Sequence, residues 1–217
     1  MTVRVSLKFA TSLDGRIATA AGESRWITGE AARREGHRLR AAHDAILVGA
    51  GTALADDPEL TVRLPDQPQA RQPLRVVLDT RLRLSPLSRL ARTLHCGPVL
   101  VIGGEGAQGE ALVAAGVGVA RAPLRDGRPD IAAVLALLAA RGVRSVLVEG
   151  GGEVAASCIR ARQFHAVEWF RAPVLLGGDG RPAVAALALR RLHDAPKLVR
   201  RDVRMLGADL WERYEAA

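Results

Sequence analysis

The chain has 217 residues, of which 48% are hydrophobic and 25% charged, with a formal net charge of +8. This composition supports a sizeable buried core and excludes a disordered chain, while aromatics at 3% leave Ala, Val and Leu to fill that core. Cys96 and Cys158 are too few for a disulfide scaffold or a Cys-rich zinc site, and the longest helix-like apolar run, 131–140, falls short of the roughly 20 residues a membrane span needs. The N-terminus lacks a basic, apolar and cleavable pattern, so the expectation is a soluble cytoplasmic protein with no membrane partner.

In chain order, residues 3–10 alternate as a strand, and Asp14-Gly15 marks a turn. Residues 28–43 read as an amphipathic helix with Thr28 as its N-cap. "AILVGAG" (45–51) is a buried-type strand ending in glycines, and Asp56-Asp57-Pro58 reads as a turn. A polar, Pro-bearing loop covers 65–73. Buried strands follow at 74–79 and 98–104, then a helix over 106–115 and a short strand over 117–122. Residues 130–142 read as a helix with Asp130 at its start and Gly142 past its end. A strand over 144–149 runs into three glycines and a helix over 151–162. Residues 165–177 read as a long or bent strand, and the tail alternates around Gly207-Ala208 as a closing antiparallel hairpin. Strands alternating with helices and ending in a hairpin predict one α/β domain over 1–217, with a mostly parallel mixed sheet and flanking helices.

Ligands in such sheets bind beyond the carboxyl ends of the strands, so the residues after each strand are the first site candidates. Gly150-x-Gly152-x-x-Ala155 matches a dinucleotide fingerprint. It arrives too late in the chain to be the first turn of a Rossmann domain, yet glycines at a helix start still suit a diphosphate. The other reading is a tight strand-to-helix turn without a ligand. Gly49 and Gly51 also follow a buried strand. Asp56 and Asp57 have no His or Glu at metal-ligand spacing, so no metal is expected. Trp26 stands in a loop, where it could plug a core or cover a ligand ring. Lys8 is one of only two lysines and sits inside an apolar strand, where it is either a solvated strand-face residue or a donor. His37, His43, His95, His165 and His193 form no H-x-E or H-E-x-x-H pattern, and no Gly-x-Ser-x-Gly elbow occurs. The arginines are spread along the chain rather than clustered, which argues against a nucleic-acid footprint and leaves a basic nucleic-acid-binding module as the alternative from a different class.

"SLKFATSLDGRIA", "GESRWIT", "DAILVGAGTALADDPELTVR", "RVVLDTRLRL", "VLVEGGG" and "APVLLGG" occur in that order over nearly the whole chain. Together they closely resemble the reductase domain of riboflavin biosynthesis, the C-terminal half of the bifunctional deaminase–reductase, which has a dihydrofolate-reductase-like fold. The resemblance implies an NADPH-dependent oxidoreductase that reduces the ribosyl C1 imine of a phosphoribosylaminopyrimidine to the ribitylamino product. By matched position it implies cofactor contacts at Ala10, Trp26, Thr52, Asp56, Thr80, Gly150, Gly151, Gly152, Glu153 and Val154. It implies substrate contacts at Lys8, Ser24, Arg40, Leu60, Arg63 and Glu149. Arg40 and Arg63 are the candidates for the substrate phosphate. Lys8 and Glu149 are the candidates for proton delivery, with Asp56 as a further relay candidate. A homodimer is implied as well.

Two departures bear on the substrate. The H-x-E and P-C-x-x-C motifs of the deaminase half are absent, so either deamination occurs on a separate chain or the undeaminated diaminopyrimidinone is reduced. Phe164-His165-Ala166 stands where many relatives carry an acidic segment. A pterin-type reductase on the same fold, making a reduced folate or methanopterin, is the neighbouring alternative.

Overall fold

The computed structural model describes residues 2–217. The elements run β1 (Arg4–Thr11), β2 (Arg16–Ala18), α1 (Glu30–Ala41), β3 (Ala45–Gly49), α2 (Ala50–Asp56), β4 (Leu74–Leu78), α3 (Arg89–Arg92), β5 (Val99–Gly103), α4 (Glu110–Ala114) and β6 (Gly118–Arg121). Then come β7 (Leu124–Arg125), β8 (Arg128–Pro129), α5 (Ile131–Ala139), β9 (Ser145–Gly150), α6 (Gly152–Arg160), β10 (Ala166–Arg171), β11 (Arg181–Pro182), β12 (Leu198–Leu206) and β13 (Asp209–Ala216). The expected architecture is present: a mixed, mostly parallel sheet with flanking helices and a C-terminal antiparallel hairpin. The chain forms two compact units, one of His37–Leu147 with the N-terminal residues up to Arg4, the other of Val5–Gly36 with Val148–Ala217.

In the first unit β3, β4, β5 and β6 pair in parallel, from Ala45 beside Leu74 through Arg75 beside Val99 to Leu100 beside Gly118. Every residue of β3 and β5 is buried, as expected of parallel strands covered on both faces. Ile46, Val48, Val77, Leu90, Val101 and Leu112 form the centre of this core. Asp130 caps α5 by accepting the Ala133 N–H at 3.0 Å, while Ile131, Val134, Leu135 and Leu138 turn inward. The Asp44 carboxylate, just before β3, accepts the N–H groups of Arg144 (2.9 Å) and Ser145 (3.0 Å), which ties it to the start of β9. After β4, the buried Asp79 accepts the N–H groups of Arg83 (2.5 Å) and Leu84 (2.9 Å) and so closes a loop that carries no periodic signal.

In the second unit β1 and β10 are parallel, with Ser6 beside Ala166 and Thr11 beside Arg171. β10 and β13 are antiparallel, and β13 returns along β12 with a register shift between Arg200 and Asp202. Gly207, at φ +68°, supplies the left-handed residue of the hairpin turn.

Several local expectations are corrected. The long strand over 165–177 ends at Arg171, because Pro173 has no N–H for the ladder and Leu13 N–H is bonded to the Val174 carbonyl at 2.8 Å. The first helix begins at Glu30, so Gly29 rather than Thr28 precedes it, and the Gly29 N–H donates to the Asp209 carboxylate at 2.7 Å. The helix over 106–115 shrinks to Glu110–Ala114, since Gly106 (φ +76°) and Gly109 hold the preceding segment out of the helix. Asp56 is the last residue of a helix, not part of a turn; Asp57, left-handed at φ 39°, ends it.

The Asp14 carboxylate holds the loop after β10. It accepts from Ser12 Oγ (2.5 Å), the Leu176 N–H (3.2 Å) and the Gly177 N–H (2.8 Å), and these bonds, the Ser12 hydroxyl foremost, lower its pKa to about 2. Since the folded pKa lies below the ordinary carboxyl value, the contribution is present above pH ~4 and is lost as pH falls toward about 2. Asp14→Asn is expected to speed hydrogen exchange at Leu176 and Gly177 at neutral pH. It is also expected to lower the urea midpoint at pH 6, with the gap to the parent closing as pH drops below ~4. A gap that stays constant down to that pH would show that the charge on Asp14 is not what holds the loop.

Candidate active site

In the second unit, Lys8 and Ala10 share one face of β1 by strand alternation, and Leu7, Phe9 and Thr11 share the buried other face. The Lys8 ammonium lies 5.8 Å from the centroid of Phe170, which pairs with Ala10, so the side chain reaches toward the carboxyl end of its strand. Beside Lys8 in register stands Glu168, only 1% exposed. Its carboxylate accepts from Trp211 Nε1 at 3.0 Å and meets Arg213 at 3.3 Å, and burial pushes its pKa up. Register therefore sets Lys8, Glu168 and Arg213 in a row of alternating charge across three strands. Lys8 thus belongs to a charge row and is not an isolated solvated lysine.

Glu149 and Gly150 close β9, both half-buried, and α6 opens behind Gly151, an extended N-cap that has no side chain to satisfy the first turn. Gly150 has φ +148°, which favours glycine. At Gly152 the close approach comes from the chain itself. A Cβ there would lie 2.9 Å from the Pro182 carbonyl oxygen and 3.2 Å from the Ala185 nitrogen, and Ala185 N–H donates to the Gly152 carbonyl at 3.0 Å. The third glycine is thus required by packing, whatever approaches the first two. Val154 turns inward, whereas Glu153 is exposed. Ser24 is half-buried in the loop before α1, and Trp26 is 71% exposed with the Arg33 guanidinium 4.7 Å from its ring centroid. An indole that open is not a core plug.

In the first unit, α2 follows β3 directly. Gly49 is its extended N-cap without side-chain capping, and a Cβ on Gly51 would meet nothing within 4 Å. Thr52 lies in the first turn and Asp56 at the last position of this helix. Leu60 has φ +54° and a buried side chain, so what it offers a ligand is backbone. Arg40 Nη1 donates to the Thr61 carbonyl at 2.9 Å, and Arg63 Nη1 donates to Thr61 Oγ1 at 2.9 Å. Arg63 also lies 3.5 Å from Glu59. Desolvation would raise the Glu59 pKa, but the Arg89 guanidinium leads a set of contacts that bring it below the usual range. The two phosphate candidates are thus brought together around one short segment. Thr80 follows β4 and is half-buried, its carbonyl accepting from Gly104 N–H at 3.0 Å.

Each unit by itself offers a feature suited to an anion: in the second the start of α6 has no side-chain cap, and in the first the start of α2 has none and Gly51 is open. The exposed Trp26 indole of the second unit is able to stack on a planar ring. Among the described residues no His, Cys, Asp and Glu set is grouped to hold a metal ion, and no helix is long and apolar enough to cross a membrane. The sequence does not single out His37 as a site neighbour, and Glu168, a charged residue within the apolar run "AVEWF", is set aside there because it does not stand at a strand end.

The family model described as the RibD C-terminal domain matches residues 3–210. Riboflavin biosynthesis protein RibD of Bacillus amyloliquefaciens is 39% identical over 210 residues, covering 95% of this chain and 55% of that protein. The structure of Acinetobacter baumannii RibD is similar with a TM-score of 0.87 at 30% identity, over 100% of this chain and 58% of that one. A diaminohydroxyphosphoribosylaminopyrimidine deaminase/5-amino-6-(5-phosphoribosylamino)uracil reductase from Thermotoga maritima is similar with a TM-score of 0.81 at 30% identity, over 100% of this chain and 57% of that one. The chain spans little more than half the length of these relatives.

Proposed function

Because the chain belongs to the RibD C-terminal domain family, we propose that residues 1–217 act as one reductase domain of riboflavin biosynthesis, on a dihydrofolate-reductase-like fold. The substrate is 5-amino-6-(5-phosphoribosylamino)uracil or its undeaminated diaminopyrimidinone, and the product is the ribitylamino compound. The match to this family over nearly the whole chain carries the reading.

On this reading, by matched position in the family, Ala10, Trp26, Thr52, Asp56, Thr80 and the turn Gly150–Val154 would hold NADPH, and the uncapped start of α6 suits a diphosphate. When bound, NADPH would supply the hydride for C1 of the ring-opened sugar imine. Arg40 and Arg63 bind the substrate phosphate, with Leu60 presenting backbone beside them. Ser24, Lys8 and Glu149 hold the pyrimidine and sugar. Lys8 or Glu149 gives a proton to the imine nitrogen as C1 is reduced, so the C=N bond becomes a C–N single bond carrying the new hydrogens. The same reading has the enzyme cytoplasmic and homodimeric, with any deamination supplied by a separate activity.

Expression in a riboflavin auxotroph lacking only the reductase is the test, and growth without added riboflavin is the expected result. If the protein is soluble and binds NADPH but does not rescue growth, a pterin-type reductase becomes the better reading, and turnover of a pterin panel with NADPH decides between them.

A further inference from the structure

His37 lies in α1 three residues before Arg40, and its ring joins the segment that carries both phosphate candidates. The Arg63 backbone N–H donates to His37 Nδ1 at 3.1 Å. A backbone N–H can only donate, so Nδ1 is the lone-pair nitrogen and the neutral ring carries its proton on Nε2. The residues before Arg63 are tethered as well. Thr61 takes Arg40 on its carbonyl at 2.9 Å and Arg63 on its hydroxyl at 2.9 Å, and Val62 exchanges two bonds with the Gln72 amide at 2.8 and 3.0 Å. Leu60, at φ +54°, starts this run in a conformation that side-chain-bearing residues seldom adopt. Three consecutive residues of an irregular segment, 61–63, are therefore fixed by side chains from elsewhere, and the one that fixes the backbone of Arg63 is His37.

We propose that His37 is a positioning residue for phosphate binding: it locks the Arg63 backbone through Nδ1, so that the Arg63 and Arg40 guanidiniums present their donors in one fixed arrangement to a phosphomonoester. The proposal rests on the reading of Arg40 and Arg63 as the substrate-phosphate ligands. Two guanidiniums on long side chains lose much conformational freedom on binding, and a fixed backbone beneath one of them lowers that cost. Phosphate binding is remote from C1 and is made equally in ground and transition states, so losing the lock raises KM and leaves kcat alone.

The test uses Ala, Asn and Gln at position 37, because an Asn amide oxygen occupies the place of Nδ1 and a Gln amide the place of Nε2. His37→Ala is expected to raise KM for the phosphoribosylaminopyrimidine about fivefold to tenfold, the loss of roughly one hydrogen bond, with kcat and the KM for NADPH within about twofold of the parent. His37→Asn is expected to restore KM to within about twofold, and His37→Gln is not. Calorimetric binding of ribose 5-phosphate to the same proteins should follow the same order without turnover. Rescue by Gln and not by Asn, or an unchanged KM and Kd in His37→Ala, would overturn the proposal. If His37→Ala fails to fold, the Asn and Gln proteins still decide. A parent that binds ribose 5-phosphate with this ordering but reduces no pyrimidine would sink the reductase reading alone. A parent that binds no ribose 5-phosphate and shows no turnover would sink both.

Discussion

Glu149→Gln is expected to lower kcat by at least about 100-fold while NADPH affinity stays within about twofold, the scale on which a positioned acid or base contributes. The argument starts from alternation. Glu149 and Gly150 are consecutive strand residues, so their substituents leave opposite faces of β9. The glycines then have a separate task, opening the start of α6, where Gly151 leaves the first turn without a side-chain cap. A carboxylate on one face and helix N–H groups at the next turn would let one strand end serve two unlike groups, a hydrogen-bond donor of the substrate and an anionic diphosphate. The amide of Gln keeps the size and a hydrogen-bonding oxygen but cannot carry a negative charge or release a proton at neutral pH. Turnover is followed by NADPH consumption and affinity by nucleotide fluorescence titration. If cofactor affinity collapses together with kcat, Glu149 belongs to the nucleotide site and the division proposed for this strand end is wrong.

The family resemblance implies that division at "VLVEGGG", but it gives no reason for each glycine. Gly152 is required because Pro182 and Ala185, thirty residues on, press against it, and no local pattern announces that. The same limit explains the rest. β3 and β5 were legible because an unbroken apolar run is what a doubly covered parallel strand needs. α5 was legible because Asp130 and Gly142 mark its two ends by local chemistry. The run Val174-Leu175-Leu176 misled because it continues the apolar character of β10, although Leu175 is 72% exposed once the chain has turned at Pro173. α3, four residues long, is about one helical turn, too short for a periodic pattern to repeat. Family motifs point to Arg40 and Arg63 as phosphate candidates, but not to the ring that fixes the backbone of one of them from a helix 26 residues away. Nor did they identify Glu168, whose partners Trp211 and Arg213 come from the last strand. Motifs carry the groups that meet ligands, whereas the groups that hold those in place are set by long-range packing.

Arg75 shows how large such a hidden requirement can be. Arg75→Ala is expected to destabilise the protein by about 3–5 kcal/mol in urea unfolding, at the upper end for a single substitution. The residue sits in β4 at 1% exposure, with no carboxylate at salt-bridge distance among the described residues. Its Nη1 donates to the Glu59 carbonyl (3.1 Å) and Thr93 Oγ1 (2.8 Å), and its Nη2 donates to the carbonyls of Thr93 (2.8 Å) and Gly97. Burial pushes the guanidinium pKa down, with Cys96 and Glu59 opposing it. The strand thus uses one charged side chain as a hub for two segments that lack extended secondary structure, 93–97 and the loop at Glu59. Removing the hub takes the Arg75 donors from the Glu59 and Gly97 carbonyls, while the Thr93 carbonyl keeps the Cys96 N–H at 2.9 Å, and this penalty does not depend on refilling the volume. Arg75→Met, which refills most of it, should therefore recover less than half of the loss. Arg75→Lys should do little better, because one ammonium cannot span acceptors arranged for a planar fork. A Met variant within about 0.5 kcal/mol of the parent would show that packing, and not the donors, is what Arg75 provides. The loop it fixes at Glu59 leads directly into Leu60, Thr61 and Arg63. The same substitution should therefore raise KM for the phosphorylated pyrimidine in whatever fraction remains folded, so a residue buried in the sheet is expected to govern how the phosphate is held.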